Sequence, residues 1–243
     1  MKDYFLALFL ASALFFGIWY VPAEFFLPAV AAGTLVLALV ALKVYGNRVA
    51  LAFLLLSLLY VLVFGLENSN TLYMQMGMGF FSLYLLWGER AKIWARGHYP
   101  GRVLQGVALF LFMVFIGIAV NLAASLLGLN DAGNAVEVVQ ELPLYLLVFA
   151  FTLVPVTEEL FFRGVLVPAF GKWTTPFAGA AIASLFFGIT HAAYGSVIEI
   201  LGASILGLVL ALYFLRKGDL LPCMVAHALF NFSSIFIIKA FVG

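Results

Sequence analysis

Long unbroken apolar runs dominate this chain, and its polar positions fall between those runs instead of alternating with them. The runs occupy roughly 4–21, 24–42, 49–66, 71–88, 103–128, 142–162, 175–194, 197–215 and 220–241. Each is close to the ~20 residues that an α-helix needs to cross the hydrocarbon core of a bilayer. A transmembrane barrel would show short alternating strands, and none is visible. The pattern predicts an all-α, polytopic transmembrane bundle of eight or nine spans, nine by direct count. Helix starts are marked locally. Pro22 precedes the second run and Pro143 the sixth; Asp219 precedes the ninth, with Pro222 in its first turn, where a missing N–H costs little. The first run follows Lys2 and contains Ala11-Ser12-Ala13, which resembles a signal peptide. That triplet lies inside the apolar run, not after it, so the run is read as a retained first helix.

Composition sharpens this picture. The 243 residues are 66% hydrophobic and 9% charged, with a mean hydropathy of +1.17. Soluble domains average about 25% charged. Too few charges are present to cover a water-facing surface, and lipid is the solvent that tolerates the sequence. A net charge of +1 gives no footprint for nucleic acid. The single cysteine, Cys223, rules out an internal disulfide. The longest polar stretch, Glu89–Arg102, is read as a loop. With nine spans every basic residue except Lys239 falls on one side, and the positive-inside rule then places the N-terminus and the basic loops in the cytoplasm. The other side carries Glu24, Glu67, Asp131, Glu137, Glu141 and Glu199. Ala203, Gly207 and Ala211 make a small-xxx-small stripe that allows close helix approach. Met74, Met76 and Met78, interspersed with glycine, fit either a flexible surface for a lipid chain or ordinary apolar packing.

Ionisable groups inside a membrane are costly and are functional candidates by default. The sixth run ends in Glu158-Glu159-Leu160-Phe161-Phe162-Arg163. Glu159 and Arg163 are spaced i,i+4 with the acid first, the better order for a pair. Glu158 lies about 100° round the helix, which leaves it as the carboxylate available for general-base work. Pro155 removes a helix hydrogen bond just upstream, so a bend is expected. The plainer reading is an interfacial cluster that anchors a helix end. Phe187 and His191 are also i,i+4, so the ring can pack beneath the imidazole; a lone histidine near a helix end is otherwise structural. His227 and Asn231 share a face one turn apart, where both could donate to one oxygen as an oxyanion hole requires. The plainer reading there is an interhelical hydrogen-bonding pair.

Taken in order, Glu-Glu-x-x-x-Arg, Phe-x-x-x-His and His-x-x-x-Asn resemble the motif series of the CAAX-processing and bacteriocin-processing membrane peptidases. The family includes eukaryotic type II CAAX prenyl endopeptidases and many prokaryotic membrane proteins. The resemblance covers about 142–240 and implies a division into N-terminal helices of unassigned role (1–141) and a peptidase core (142–243). It implies that Glu158 and His191 activate water, that His227 and Asn231 hold the oxyanion, and that Glu159, Arg163 and Phe187 give structural support. It implies no cofactor, and a peptide or protein substrate that is prenylated or otherwise membrane-anchored. A prokaryotic cell membrane is the expected setting in preference to the endoplasmic reticulum.

Rival chemistries remain open on sequence alone. Glu158, His191 and His227 could form a catalytic zinc set, although no His-Glu-x-x-His is present. Cys223 and His227 are i,i+4, a weak sign of a cysteine nucleophile. Ser204 lies in Gly-Ala-Ser-Ile, a partial match to a rhomboid-like serine motif. A transporter or a bacteriocin-immunity type of protein could also place carboxylates and histidines in a membrane. One geometric demand follows from the peptidase reading. His191 and His227 must reach the same depth, which predicts a late start for the seventh helix and a cavity in the half of the bilayer nearer the basic loops.

Overall fold

The computed structural model describes residues 98–242 except Asn130, together with Gln75, Met78, Gly79, Ser82 and Leu86. The expectations for the first four spans, the retained first helix, the side on which the N-terminus lies and most of the Met74–Gly79 run fall outside the described residues. The described helices belong to one compact unit, Phe81–Gly243.

Every described secondary-structure element is helical. They are α1 (Tyr99–Leu126), α2 (Ala132–Glu141), α3 (Leu144–Phe151), α4 (Leu153–Glu158), a π-helix (Glu159–Leu166), α5 (Val167–Trp173), α6 (Pro176–Ile189), a 3-10 turn (Thr190–Tyr194), α7 (Val197–Lys217), α8 (Leu220–Ile237) and a C-terminal π-turn (Ile238–Val242). Among the described residues four helical stretches are long and apolar enough to cross a membrane: Tyr99–Leu126, Leu144–Trp173, Val197–Lys217 and Leu220–Phe241. Pro176–Ala192 is a shorter apolar helix. These five coincide with the last five apolar runs. The faces that α1 turns outward carry Leu104, Leu111, Phe115, Ile118 and Leu122, all exposed, as suits a helix whose outer solvent is lipid.

Two boundaries differ from expectation. Helix α1 begins at Tyr99, inside the stretch read as a loop, because Pro100 sits in its first turn and fixes a helical φ without needing its N–H. Arg102 is therefore a helical residue, and it is buried against Asp219. The sixth apolar helix also runs past 162 to Trp173. Its path is not uniform. Pro155 lacks the N–H that would bond the Phe151 carbonyl, and the helix breaks at Thr152, whose hydroxyl bonds the Val148 carbonyl at 2.6 Å. Beyond Glu158 the ladder widens into the π-helix, a form found most often at functional sites.

The seventh helix does not start late. It begins at Pro176, capped by the Thr175 hydroxyl. Glu158 and His191 are instead brought level by the length of the sixth helix. Glu158 lies fifteen residues before Trp173 and His191 fifteen residues after Pro176, so the α5–α6 hairpin returns His191 to the level of Glu158, about 23 Å from the turn at helical rise. Close backbone approach closes this hairpin. A Cβ on Gly179 would come within 2.4 Å of the Gly171 nitrogen. On α7, Gly207 lies against Phe187 and Ser184 of α6, and Ala203 and Ala211 are buried.

Candidate active site

The π-helix carries Glu159 and Arg163 into the interior, where neither is more than 1% exposed. Arg163 Nη1 donates to Glu159 Oε1 at 2.9 Å, Nη2 donates to the Gly207 carbonyl at 3.1 Å, and the guanidinium stacks 4.5 Å from the Phe187 ring centroid. Gly207 is required there, because a Cβ would meet the Phe187 ring at 2.9 Å and Arg163 Nη2 at 3.2 Å. Arg163 thus belongs to the bundle interior and cannot count as a loop cation in the charge asymmetry.

Helix α8 brings His227 onto the same cluster. Its Nδ1 lies 2.8 Å from Glu159 Oε1, and its Nε2 lies 3.7 Å from Glu158 Oε2. Both glutamates therefore address one imidazole, although an ideal helix would put them on different faces. The sequence reading gave Glu159 to Arg163 alone; in the structure it also orients His227. Glu159 Oε2 is buried with no hydrogen-bond partner among the described residues. The α7–α8 turn that leads to His227 is buried: Asp219 is 3% exposed and Leu220 fully buried.

Phe187 is the wedge between the two histidines. Its ring centroid lies 4.8 Å from that of His191 and 5.7 Å from that of His227, edge-on to both. His191 sits in the 3-10 turn, with Nδ1 2.9 Å from the Phe187 carbonyl and 3.3 Å from Thr190 Oγ1. That anchor leaves Nε2 as its outward nitrogen. Asn231 Nδ2 donates to the Ala150 carbonyl at 2.9 Å, tying α8 to α3.

His191, His227 and Asn231 line one cavity of about 120 Å³, with α1 (Met113, Gly117, Val120, Asn121) and the first half of α7 completing the wall. The cavity lies where α6 ends and α7 begins. It is thus nearer the end that bears Asp131 and Glu199 than the ends that bear Lys172 and Lys217, which overturns the expectation of a cavity in the half near the basic loops. The cause is the long α5–α6 hairpin described above.

The rival nucleophiles are turned elsewhere. Cys223 is buried, and its Sγ contacts the Leu210 and Asp219 carbonyls at 3.7 and 3.8 Å. Ser204 Oγ donates to Ile200 in its own helix at 2.8 Å. Among the described residues no group of three His, Cys, Asp or Glu side chains is placed to hold a metal ion, and Glu158, His191 and His227 do not form such a set.

Residues 140–233 match the family model of type II CAAX prenyl endopeptidase, Rce1-like. The segment is similar to that family over 94 of the chain's 243 residues. No curated protein matches the chain, and no solved structure does. The Rce1-like domain runs from the end of α2 to beyond Asn231, so it contains every motif residue named above. Its family is one of membrane proteases, and the four long apolar helices make the chain an integral membrane protein. Helix α1, upstream of the matched segment, still packs along α8 and supplies four residues to the cavity wall.

Three residues around the cavity of the Rce1-like domain were not singled out for chemistry in the sequence. Asn121 and Glu199 line it. Tyr194 stands beside it, its ring 5.9 Å from that of His191. No motif marks them. Glu199 is further disguised, because Ser196-x-x-Glu199 reads as an ordinary capping box.

Proposed function

We propose that the Rce1-like domain hydrolyses a peptide bond of a membrane-anchored substrate by direct attack of water. The observation that carries this reading is the doubly addressed imidazole. His227 offers Nδ1 to Glu159 and Nε2 towards Glu158, and it shares a cavity wall with His191 and Asn231. Glu158, assisted by His191, takes one proton from a water molecule, and the resulting hydroxide adds to the scissile carbonyl carbon. With Nδ1–H given to Glu159, a proton on Nε2 of His227 is directed at the developing oxyanion. The amide of Asn231 has two N–H bonds; one holds Ala150 and the second serves the same oxyanion. The tetrahedral intermediate then expels the amine, which receives the proton held by Glu158. Glu159 and Arg163 orient His227, and Phe187 spaces the two histidines. No metal takes part, the substrate is prenylated or otherwise lipid-anchored, and the setting is a prokaryotic cell membrane.

The test uses the full chain in lipid nanodiscs with quenched fluorescent peptides ending in a prenylated CAAX sequence. Wild type cleaves them, cleavage survives dialysis against chelator, and Cys223→Ser and Ser204→Ala remain active. Near-normal turnover by Glu158→Gln overturns the role of the base. Loss with chelator and recovery with zinc overturns the metal-free route.

A further inference from the structure

The first turn of α7 contains a carboxylate that the proposed reaction does not use. Ser196 and Glu199 have the spacing of a capping box, in which the glutamate would normally fold back on the Ser196 N–H. Only half of that box forms. Ser196 Oγ accepts from the Glu199 N–H at 3.1 Å. The donors at the helix start are taken by Asp131, which arrives from the α1–α2 connection: it accepts from Ser196 Oγ at 3.2 Å, from the Ile198 N–H at 3.3 Å and from the Val197 N–H. The Glu199 carboxylate takes no part in this cap. Among the described residues the Glu199 carboxylate makes no hydrogen bond and no ion pair, and the residue lines the cavity with His191, His227 and Asn231. Asn121 lines the same cavity; one N–H of its amide donates to the Gly117 carbonyl at 2.9 Å, which leaves its oxygen and its second N–H.

This part of the cavity wall therefore presents a carboxylate and an amide among mostly apolar residues. A peptide substrate brings apolar groups, amides and basic or acidic side chains. In a cavity of low dielectric an acidic side chain is repelled by this wall, whereas a basic one satisfies it. Building on the peptidase reading above, we propose that Glu199 is a specificity residue that selects substrates bearing a lysine or arginine side chain close to the scissile bond.

The experiment separates binding from hydrolysis. Fluorescently labelled peptides of one apolar sequence carry Lys, Gln or Glu at a single position, which is moved along the peptide. Affinity is measured by anisotropy on nanodisc-embedded Glu158→Gln protein, with and without Glu199→Gln or Glu199→Lys. Melting temperatures serve as the folding control, since the carboxylate of Glu199 holds no structural hydrogen bond. The Lys peptide should bind about tenfold more tightly than the Gln peptide at one position, in line with a charge-assisted hydrogen bond. Glu199→Gln should erase that preference, and Glu199→Lys should transfer it to the Glu peptide. Equal binding of the three peptides to the parent, or a Lys preference that survives Glu199→Gln, overturns the proposal. Wild-type protein that binds the Lys peptide through Glu199 without cleaving it overturns the peptidase reading and leaves the selectivity standing.

Discussion

Two buried arginine–carboxylate pairs hold this bundle together, and they are built differently. Arg102 and Asp219 join the start of α1 to the start of α8 in a two-pronged bridge, Nε to Oδ2 at 2.7 Å and Nη2 to Oδ1. Asp219 Oδ1 also accepts from the Leu221 N–H at 3.2 Å, so both carboxylate oxygens have donors. Arg163 and Glu159 meet through one oxygen only. That oxygen is shared with His227 Nδ1, while the second has no partner. A buried charge is tolerated when its oxygens are answered by donors. The first pair has a donor on each oxygen and serves as architecture. The second keeps a charge under-answered beside an imidazole, which is how a site stores the capacity to stabilise a change in charge.

The largest expected effect lies next to the second pair. Glu158→Gln should lower kcat by about 10²–10⁴-fold, the usual worth of a positioned acid–base group, with an unchanged melting temperature. Loss of folding in place of turnover would make Glu158 architecture as well. At the first pair the balance reverses. Asp219→Ala removes the carboxylate bridged by Arg102 and should cost about 3–5 kcal/mol of stability, read as a fall in melting temperature, while the protein that remains folded keeps its kcat. A comparable loss of kcat per folded molecule would erase the distinction. A double-mutant cycle sharpens it further. Glu159→Gln with His227→Ala should show a coupling of about 0.5–3 kcal/mol, because the two side chains share a hydrogen bond, whereas Arg102→Met with His227→Ala, which share no partner, should add within about 0.5 kcal/mol. The smallest effect belongs to a third carboxylate, Asp131, answered by donors at the surface. The Val197 N–H, with help from Ile198 and Ser196, holds it below the usual carboxylate value of 3.8 despite some desolvation. A depressed folded pKa gives stability that is present above the unfolded value and lost as pH falls through the folded one. Melting temperature should therefore drop slightly as pH falls below about 3.8, and Asp131→Asn should flatten that part of the curve.

What the sequence revealed follows from which interactions are local. The five apolar helices of the described region were legible because hydropathy and length suffice to define them. The Glu159–Arg163 pair and the Phe187–His191 stack were legible because i,i+4 spacing is a property of one helix. The sharing of His227 between both glutamates was not, since it depends on the π-helical segment, which no residue pattern announces. The equal depth of Glu158 and His191 was missed for a related reason. Polar Arg163 was taken to end the sixth span, whereas Glu159, Gly207 and Phe187 satisfy it inside and the helix continues to Trp173. Glu199 was hidden by its capping-box spacing, although its carboxylate does not close the box.

Arg163 also has a history within the life of each molecule. The chain is made from its N-terminus, so residues 144–173 exist before Gly207 and His227 have been synthesised. During that interval the only interior partner available to Arg163 within its own helix is Glu159, one turn earlier. A lone charge at the centre of an inserting helix costs about 2.5–3.5 kcal/mol, and pairing within the helix lowers that cost at the moment it falls due. The i,i+4 spacing thus serves biogenesis first. The downstream helices inherit a charge pair already inside the membrane, and His227 on docking takes up the carboxylate oxygen that Arg163 brought in with it.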